Sequence, residues 1–221
     1  MTAPTRSAND ALIERLVQRF LHIFPAMDDR EQRVAVTLYG LLARGGGVTA
    51  GQVAEAAGQP LALVQACLTR WPGIFREGEA VVGFWGLAVR PVSRHRMLVD
   101  GRTLYTWCAW DTLFIPPLLE RSAQVDSTDP VSGAAVTLTV TPQGVQALSP
   151  AGAVLSMIEP RANMIEDIRG RLCRYIHFFA EPDAGEAWTR KHADTLLLSV
   201  DEGFELGRRR NLSRFADVPS P

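Results

Sequence analysis

The sequence predicts an α+β protein: a winged helix-turn-helix-like helical module, then a mixed, largely antiparallel β-sheet domain with flanking helices. Three observations carry this. Up to about residue 70, apolar positions recur at helical spacing. From about Arg90 the texture changes to short alternating runs, such as AVTLTV at 135–140, punctuated by Gly and Pro. The chain has 221 residues, 47 % of them hydrophobic and 21 % charged, so a sizeable core forms and disorder is set aside.

The elements follow in order. Asn9 and Asp10 are expected to cap a helix whose apolar face is Leu12, Ile13, Leu16, Val17 and Phe20. Asp28 and Asp29 open a second, with Val34, Leu38, Leu41 and Leu42 as its stripe, stopped by Gly45-Gly46-Gly47. Thr49 and Gln52 form a capping-box pattern, in which each side chain satisfies an orphan backbone N–H, and that short helix ends at Gly58. Pro60 suits the first turn of the next helix, with Leu61, Val64 and Leu68 as its stripe and Trp71-Pro72 as its end. Ile74-Phe75 and Val81-Val82 flank a polar turn and predict a hairpin. This order is that of a winged helix-turn-helix, and a boundary is expected near residue 90, dividing 1–90 from 91–221. Beyond it, Arg96 to Val99 and Thr103 to Tyr105 flank an Asp100-Gly101 turn, and Ala135 to Val140 alternates. Three helices are expected: Asn163 to Gly170, one from Asp183 with Glu186 as its box partner, and one from Ser199 with Glu202. Arg208, Arg209 and Arg210 are expected to close the last, where cations complement the helix dipole. The tail to Pro219 and Pro221 is expected to fray.

Charge narrows the partners. The net charge is −1, which gives no electrostatic reason to bind DNA, RNA or anionic lipid. The helix that would read a major groove, LALVQACLTR, has one cation, Arg70. Across 48–90, Arg70, Arg76 and Arg90 face Glu55, Glu77 and Glu79. That neutrality argues for a scaffold rather than a phosphate-binding module, and against a nucleic-acid partner. The start, MTAPTRSANDAL, lacks the apolar region of a signal peptide, and no run is apolar enough to span a bilayer. A soluble, cytoplasmic protein with no membrane partner is expected. Its three cysteines, Cys67, Cys108 and Cys173, are then free thiols. Cys67, beside Leu68, reads as core or interface.

The sharpest local feature is LYTWCAWDTL, in which Cys108 and Asp111 stand three apart. In a helical turn that spacing puts a thiol and a carboxylate on one face. Trp107, Trp110, Leu113, Phe114 and Ile115 make the setting apolar, which should raise the pKa of both groups and leave the carboxyl able to act as a general acid. The plainer alternative is a solvated Asp beside a buried Cys. A second stretch, RLCRYIHFF, reads as a strand with Cys173, Tyr175 and His177 on one face. His177 is either a base or ligand, or simply hydrogen-bonded. Spacing alone does not bring Cys173 to Cys108. Two thiols and a carboxyl have three readings. A zinc site wants close Cys pairs, which this chain lacks. A thiol hydrolase wants a His base and an oxyanion hole. A soft-metal site wants two thiolates, and a carboxyl beside it can protonate a carbon bonded to the metal.

At these residues the chain resembles the bacterial organomercurial (alkylmercury) lyases. The resemblance lies in GRTLYTWCAWDTLFIPPLL, SGAAVTLTVTPQGV, LSPAGAVLSMI, RLCRYIHFFAEPDAGEAW and KHADTLLLSVDEGFELGR, in family order. It implies Cys108, Asp111 and Cys173 as catalytic residues, with Trp107 and Trp110 at the substrate pocket. The implied reaction is protonolysis of a carbon–mercury bond, releasing a hydrocarbon and leaving Hg(II) on Cys108 and Cys173 with Asp111 close by. It implies no permanent cofactor, a need for external thiol, an organomercurial substrate, and small thiols or mercuric reductase as Hg(II) acceptors. It also implies a winged-helix-like module that does not read DNA. Two cysteines found in some members are missing: the loop before SGAAV reads Asp126-Ser127-Thr128-Asp129, and Arg174 follows Cys173. Trp110 is bulkier than the aliphatic residue expected there and should narrow the pocket. A mercury-binding winged-helix regulator, or a thiol scavenger without turnover, is the alternative.

Overall fold

The computed structural model describes residues 6–218, and the expected fraying at Pro219 and Pro221 lies outside them. Four helices come first: α1 (Arg6–Ile23), α2 (Asp29–Leu42), α3 (Ala50–Ala57) and α4 (Leu61–Arg70). Their boundaries are set by local chemistry. Asp28 accepts the Glu31 N–H and Glu31 reaches back to the Asp28 N–H, closing a capping box. Thr49 and Gln52 do the same for α3, and Gly58 ends it in the left-handed conformation. On α4, Val64, Cys67 and Leu68 are buried, while Leu61 turns outward.

Runs of strands then follow, with helices between them: β1 (Ile74–Glu77), β2 (Ala80–Phe84), β3 (Leu87–Ala88), β4 (Arg96–Val99), β5 (Arg102–Thr106), α5 (Asp111–Leu118), β6 (Ala123–Thr128), β7 (Ala135–Thr141), β8 (Gly144–Ser149), β9 (Val154–Ile158), α6 (Ile168–Arg171), β10 (Phe178–Phe179), α7 (Pro182–Thr189), β11 (Thr195–Ser199) and α8 (Val200–Arg214). The first eight strands form one sheet in the order β1-β2-β3-β5-β4-β6-β7-β8, and β10-β9-β11 form a second. Every pairing among the described residues is antiparallel. The larger sheet runs through residue 90 without a break, because β3 joins β2 to β5. The alternation in β7 buries Val136, Leu138 and Val140 on one face.

The structure corrects several expectations. Asn9 and Asp10 do not cap α1 but lie inside it. There they tie it to α8, through Asn9 to Glu202 (2.6 Å) and Asp10 to Arg209 (2.9 Å). Asp183 likewise lies inside α7, which starts at Pro182 with no side-chain cap. The Ser199–Glu202 box forms as expected, but α8 continues to Arg214, so Arg208 and Arg209 are mid-helix and pair with Glu205. The stretch 163–170 splits into a 3₁₀ turn (Ala162–Asp167) and the short α6.

The main correction concerns Cys173. It lies in a 3₁₀ turn, Cys173–Tyr175, not in a strand. The N–H groups of Leu172, Tyr175 and Ile176 bond the carbonyls of Ile168, Leu172 and Cys173, so they are used locally and no ladder forms. Only Phe178 and Phe179 join a sheet.

Candidate active site

The larger sheet ends one arm of the site at β5. The chain leaves β5 at Thr106, turns, and enters α5 at Asp111. The turn is tied at each residue. The Thr106 hydroxyl donates to the Cys108 carbonyl (2.9 Å), and the Cys108 N–H donates to Asp111 Oδ2 (2.8 Å). The Thr112 hydroxyl donates to the Ala109 carbonyl (2.6 Å). The expected shared face of Cys108 and Asp111 is thus present, built by this turn rather than by a full helix. The Ala109 N–H donates to the Ile176 carbonyl (3.2 Å), which draws the Cys173 turn alongside. One ligand atom from each of Cys108, Asp111 and Cys173 lies within 4.8 Å of the others, and all three residues are buried. The proximity that spacing alone did not provide is therefore supplied by the fold.

Close packing holds the carboxyl in place. Trp85-Gly86 turns the chain between β2 and β3, and Gly86 has φ +96°. A Cβ on Gly86 would sit 2.5 Å from both Cγ and Oδ1 of Asp111, so only glycine fits. The Gly86 carbonyl accepts the Trp107 N–H (2.9 Å). Behind α5, α8 presents Gly203 and Gly207. A Cβ at Gly207 would meet the Phe114 Cβ at 2.5 Å, so these glycines let the two helices approach closely. Trp110 Nε1 donates to the Gly203 carbonyl (3.0 Å), fixing the indole.

Burial sets the protonation chemistry. It raises Asp111 to about 6, against hydrogen bonds from Cys108 and the charge of Arg210, which favour the carboxylate. Burial also pushes the Cys108 thiol well above the ordinary range, helped by its hydrogen bond to Cys173 and by Asp111. That same hydrogen bond pulls Cys173 down, but burial and Asp111 outweigh it, and Cys173 stays raised. Cys67 lies apart, buried on α4. His177 lies outside the cluster of Cys108, Asp111 and Cys173: its Nε2 bonds the Arg174 carbonyl (2.8 Å), and burial lowers it to about 4.

A cavity of about 20 Å³, room for one water, is lined by Asp111, Cys173, Gly86, Trp107, Trp110 and Arg210. Trp107 and Trp110, expected at a pocket, are both there. Sequence reasoning missed Phe20 from α1 and Phe24 just beyond its end, which also line it, together with Gly86 and Arg210. Arg210 is 2 % exposed and lies over the Phe114 ring (4.9 Å), with Nη1 bonding Asn211. Its signal was present: Gly203, Gly207, Arg210 and Arg214 recur at helical spacing, and α8 buries all four.

Comparison with known proteins covers the same region of the chain. A family-level sequence model described as alkylmercury lyase (MerB) matches residues 89–210. Among curated proteins, alkylmercury lyases of Streptomyces lividans (39 % identical over 171 residues), Staphylococcus epidermidis (35 % over 171) and Pseudomonas putida (38 % over 173) are similar. The alignments cover 77–78 % of this chain and 78–80 % of theirs. The fold matches the crystal structure of the mercury-bound form of MerB2 with TM-score 0.75, 20 % identity, 92 % of this chain and 98 % of that one.

Proposed function

Since the chain belongs to the alkylmercury lyase family, we propose that it cleaves the carbon–mercury bond of organomercurials by protonolysis, in mercury detoxification, with Cys108, Asp111 and Cys173 as catalytic residues. One observation carries the reading. Two buried thiols and a carboxyl of raised pKa converge within 4.8 Å beside a small cavity walled by aromatic side chains. Soft thiolates select a soft ion, and a carboxyl titrating near 6 both takes and gives a proton near neutral pH.

The steps follow from that geometry. One cysteine takes R–Hg⁺ from its carrier thiol. Asp111 removes the proton of the other thiol, whose sulfur then also bonds mercury. Two thiolates raise electron density on the bound carbon. Asp111 returns the proton to that carbon, the C–Hg bond breaks, and R–H leaves. Hg(II) stays on Cys108 and Cys173, beside Asp111, until an external thiol or mercuric reductase removes it. No permanent cofactor takes part.

The supporting architecture fits the same reading. Residues 91–221 carry the catalytic groups, and residues 1–90 serve as a scaffold of winged-helix type, α2, α3, α4 and the β1–β2 hairpin, that does not read DNA. In support, Arg70 of α4 is engaged by Glu31 (2.5 Å) and is not free for phosphate. A cytoplasmic location is part of this proposal; no described helix is long and apolar enough to cross a membrane. The test is incubation with an arylmercury and excess thiol in heavy water. Free arene carrying one deuterium at the former mercury carbon supports the proposal, and mercury binding without arene rejects it.

A further inference from the structure

Cys173 stands between two spaces. On one side is the closed cavity with Asp111 and Trp110. On the other is a groove of about 500 Å³, lined by Arg94, Arg169, Arg174, His95, His177 and Ser93. Cys173 and Trp107 line both, and form the wall between them. Cys108 lines neither and is 1 % exposed. An incoming group therefore meets Cys173 first.

The groove is cationic. No carboxylate among the described residues pairs with Arg94, Arg169 or Arg174. Arg169 is held in place by the Val92 carbonyl (2.9 Å) and the Phe75 ring. Arg94 and Arg174 are exposed at the rim. The histidines add no charge, because burial lowers both His95 and His177 well below neutral pH. Three guanidinium groups around one thiol suit carboxylates, which they bind through paired N–H donors.

Resting on the reading above, we propose that this groove is a subsite for the carrier thiol, that the carrier is a small thiol bearing carboxylates, and that Cys173 is the entry ligand. The exchange balances as R–Hg–SR′ plus Cys173–SH giving R–Hg–S–Cys173 plus R′SH. The Hg–S bond to Cys173 forms as the bond to the carrier sulfur breaks, and the Cys173 proton passes to the departing sulfur. The carrier leaves through the arginine-lined groove, while mercury stays on the Cys173 sulfur, within reach of Cys108 and Asp111. The two faces of one sulfur thereby separate exchange from cleavage.

The experiment measures loading apart from cleavage. Phenylmercury is supplied to the whole protein as its adduct with mercaptosuccinate, 2-mercaptoethanol or cysteamine. Transfer onto the protein is followed by rapid-quench intact mass, and benzene is measured separately. The expected ratio of loading rates, dianionic over cationic carrier, is about 10-fold or more in the parent and shrinks toward that of the uncatalysed exchange in 0.5 M salt. In the Arg94→Gln/Arg174→Gln variant the ratio collapses within about 2-fold of the uncatalysed value. Circular dichroism confirms that the variant is folded, and single Arg94→Lys and Arg174→Lys variants, which keep the charge, retain most of the ratio. A parent ratio equal to that of the uncatalysed exchange, or an unchanged ratio in the double variant, overturns the subsite. Carrier-dependent loading with no benzene supports the subsite and rejects the lyase reading instead.

Discussion

The two thiols of the site stand on unlike supports. Cys108 sits in a turn fastened to β5 and α5 by three hydrogen bonds of 2.6–2.9 Å, with Gly86 packed against its carboxyl partner and α8 packed behind. Cys173 sits in a 3₁₀ turn after a four-residue helix, bonded mainly to its own neighbours. On the proposed reading, the first support, fastened and enclosed, suits proton transfer, because a donor must stay within hydrogen-bond reach. The second faces a groove and suits ligand exchange. The site joins one half built for position to one built for access.

The strongest way to break that comparison is to remove each thiol in turn. Cys173→Ser should abolish both loading and hydrocarbon release. Cys108→Ser should abolish release but still load R–Hg⁺ onto Cys173, as seen by intact mass, because a hydroxyl is a poor ligand for a soft ion. Equal loading defects in the two variants would erase the distinction. A Cys108–Cys173 disulfide should inactivate the enzyme until a thiol reductant is added, as an activity assay before and after reduction would show.

Next in size is the carboxyl. Asp111→Asn should keep mercury binding and lose roughly 10²-fold or more of hydrocarbon release. In the parent, the carboxylate must be ionised to take a thiol proton, so single-turnover release should fall as pH drops below about 6. The same group makes the rigid half costly. Its folded pKa, about 6, lies above the reference 3.8, so the fold loses stability as pH rises through that interval. Above it the loss is about 3 kcal/mol. Denaturant titrations should therefore show Asp111→Asn gaining on the parent at pH 8 and not at pH 4. No gain at pH 8 would mean the buried carboxylate is fully compensated.

A smaller effect is expected from Gly86→Ala. The added methyl meets Asp111 in a backbone region that L residues avoid. Activity should drop about 10-fold with a stability loss of about 1–3 kcal/mol, and Cys173 loading should be nearly unchanged. Smallest is Cys67→Ser, which should leave turnover within a few-fold and cost about 1 kcal/mol by thermal melt. A dead Cys67 variant beside an active Cys108 or Cys173 variant would overturn the assignment.

What the sequence made legible tracks the range of the forces involved. The Asp28, Thr49 and Ser199 capping boxes and the Cys108–Asp111 pair join residues three apart, so local geometry reveals them. Strands with clear alternation, such as β7, are legible for the same reason. The Cys173 turn misled because its alternating side chains mimic a strand, while its N–H groups bond backwards along the chain. The larger sheet's passage through residue 90 depends on β3, only two residues long, which no pattern announces. Gly86 carried a turn signal between two apolar runs, but its contact with Asp111 belongs to the fold alone. Arg210 was hidden inside a run of three arginines whose first two are surface ion-pair partners.

The bond from Trp110 to the Gly203 carbonyl spans 93 positions. On a ribosome, the turn bearing Cys108 and Asp111 emerges long before the helix that walls it in, and Cys173 emerges in between. Until α8 arrives to cover α5, the nascent chain has a thiol and a carboxyl exposed to water, where Asp111 titrates as an ordinary acid. On the proposed reading, proton-transfer competence waits until α8 closes against both α5 and α1. A chain still lacking α8 has the residues of the site without its chemistry.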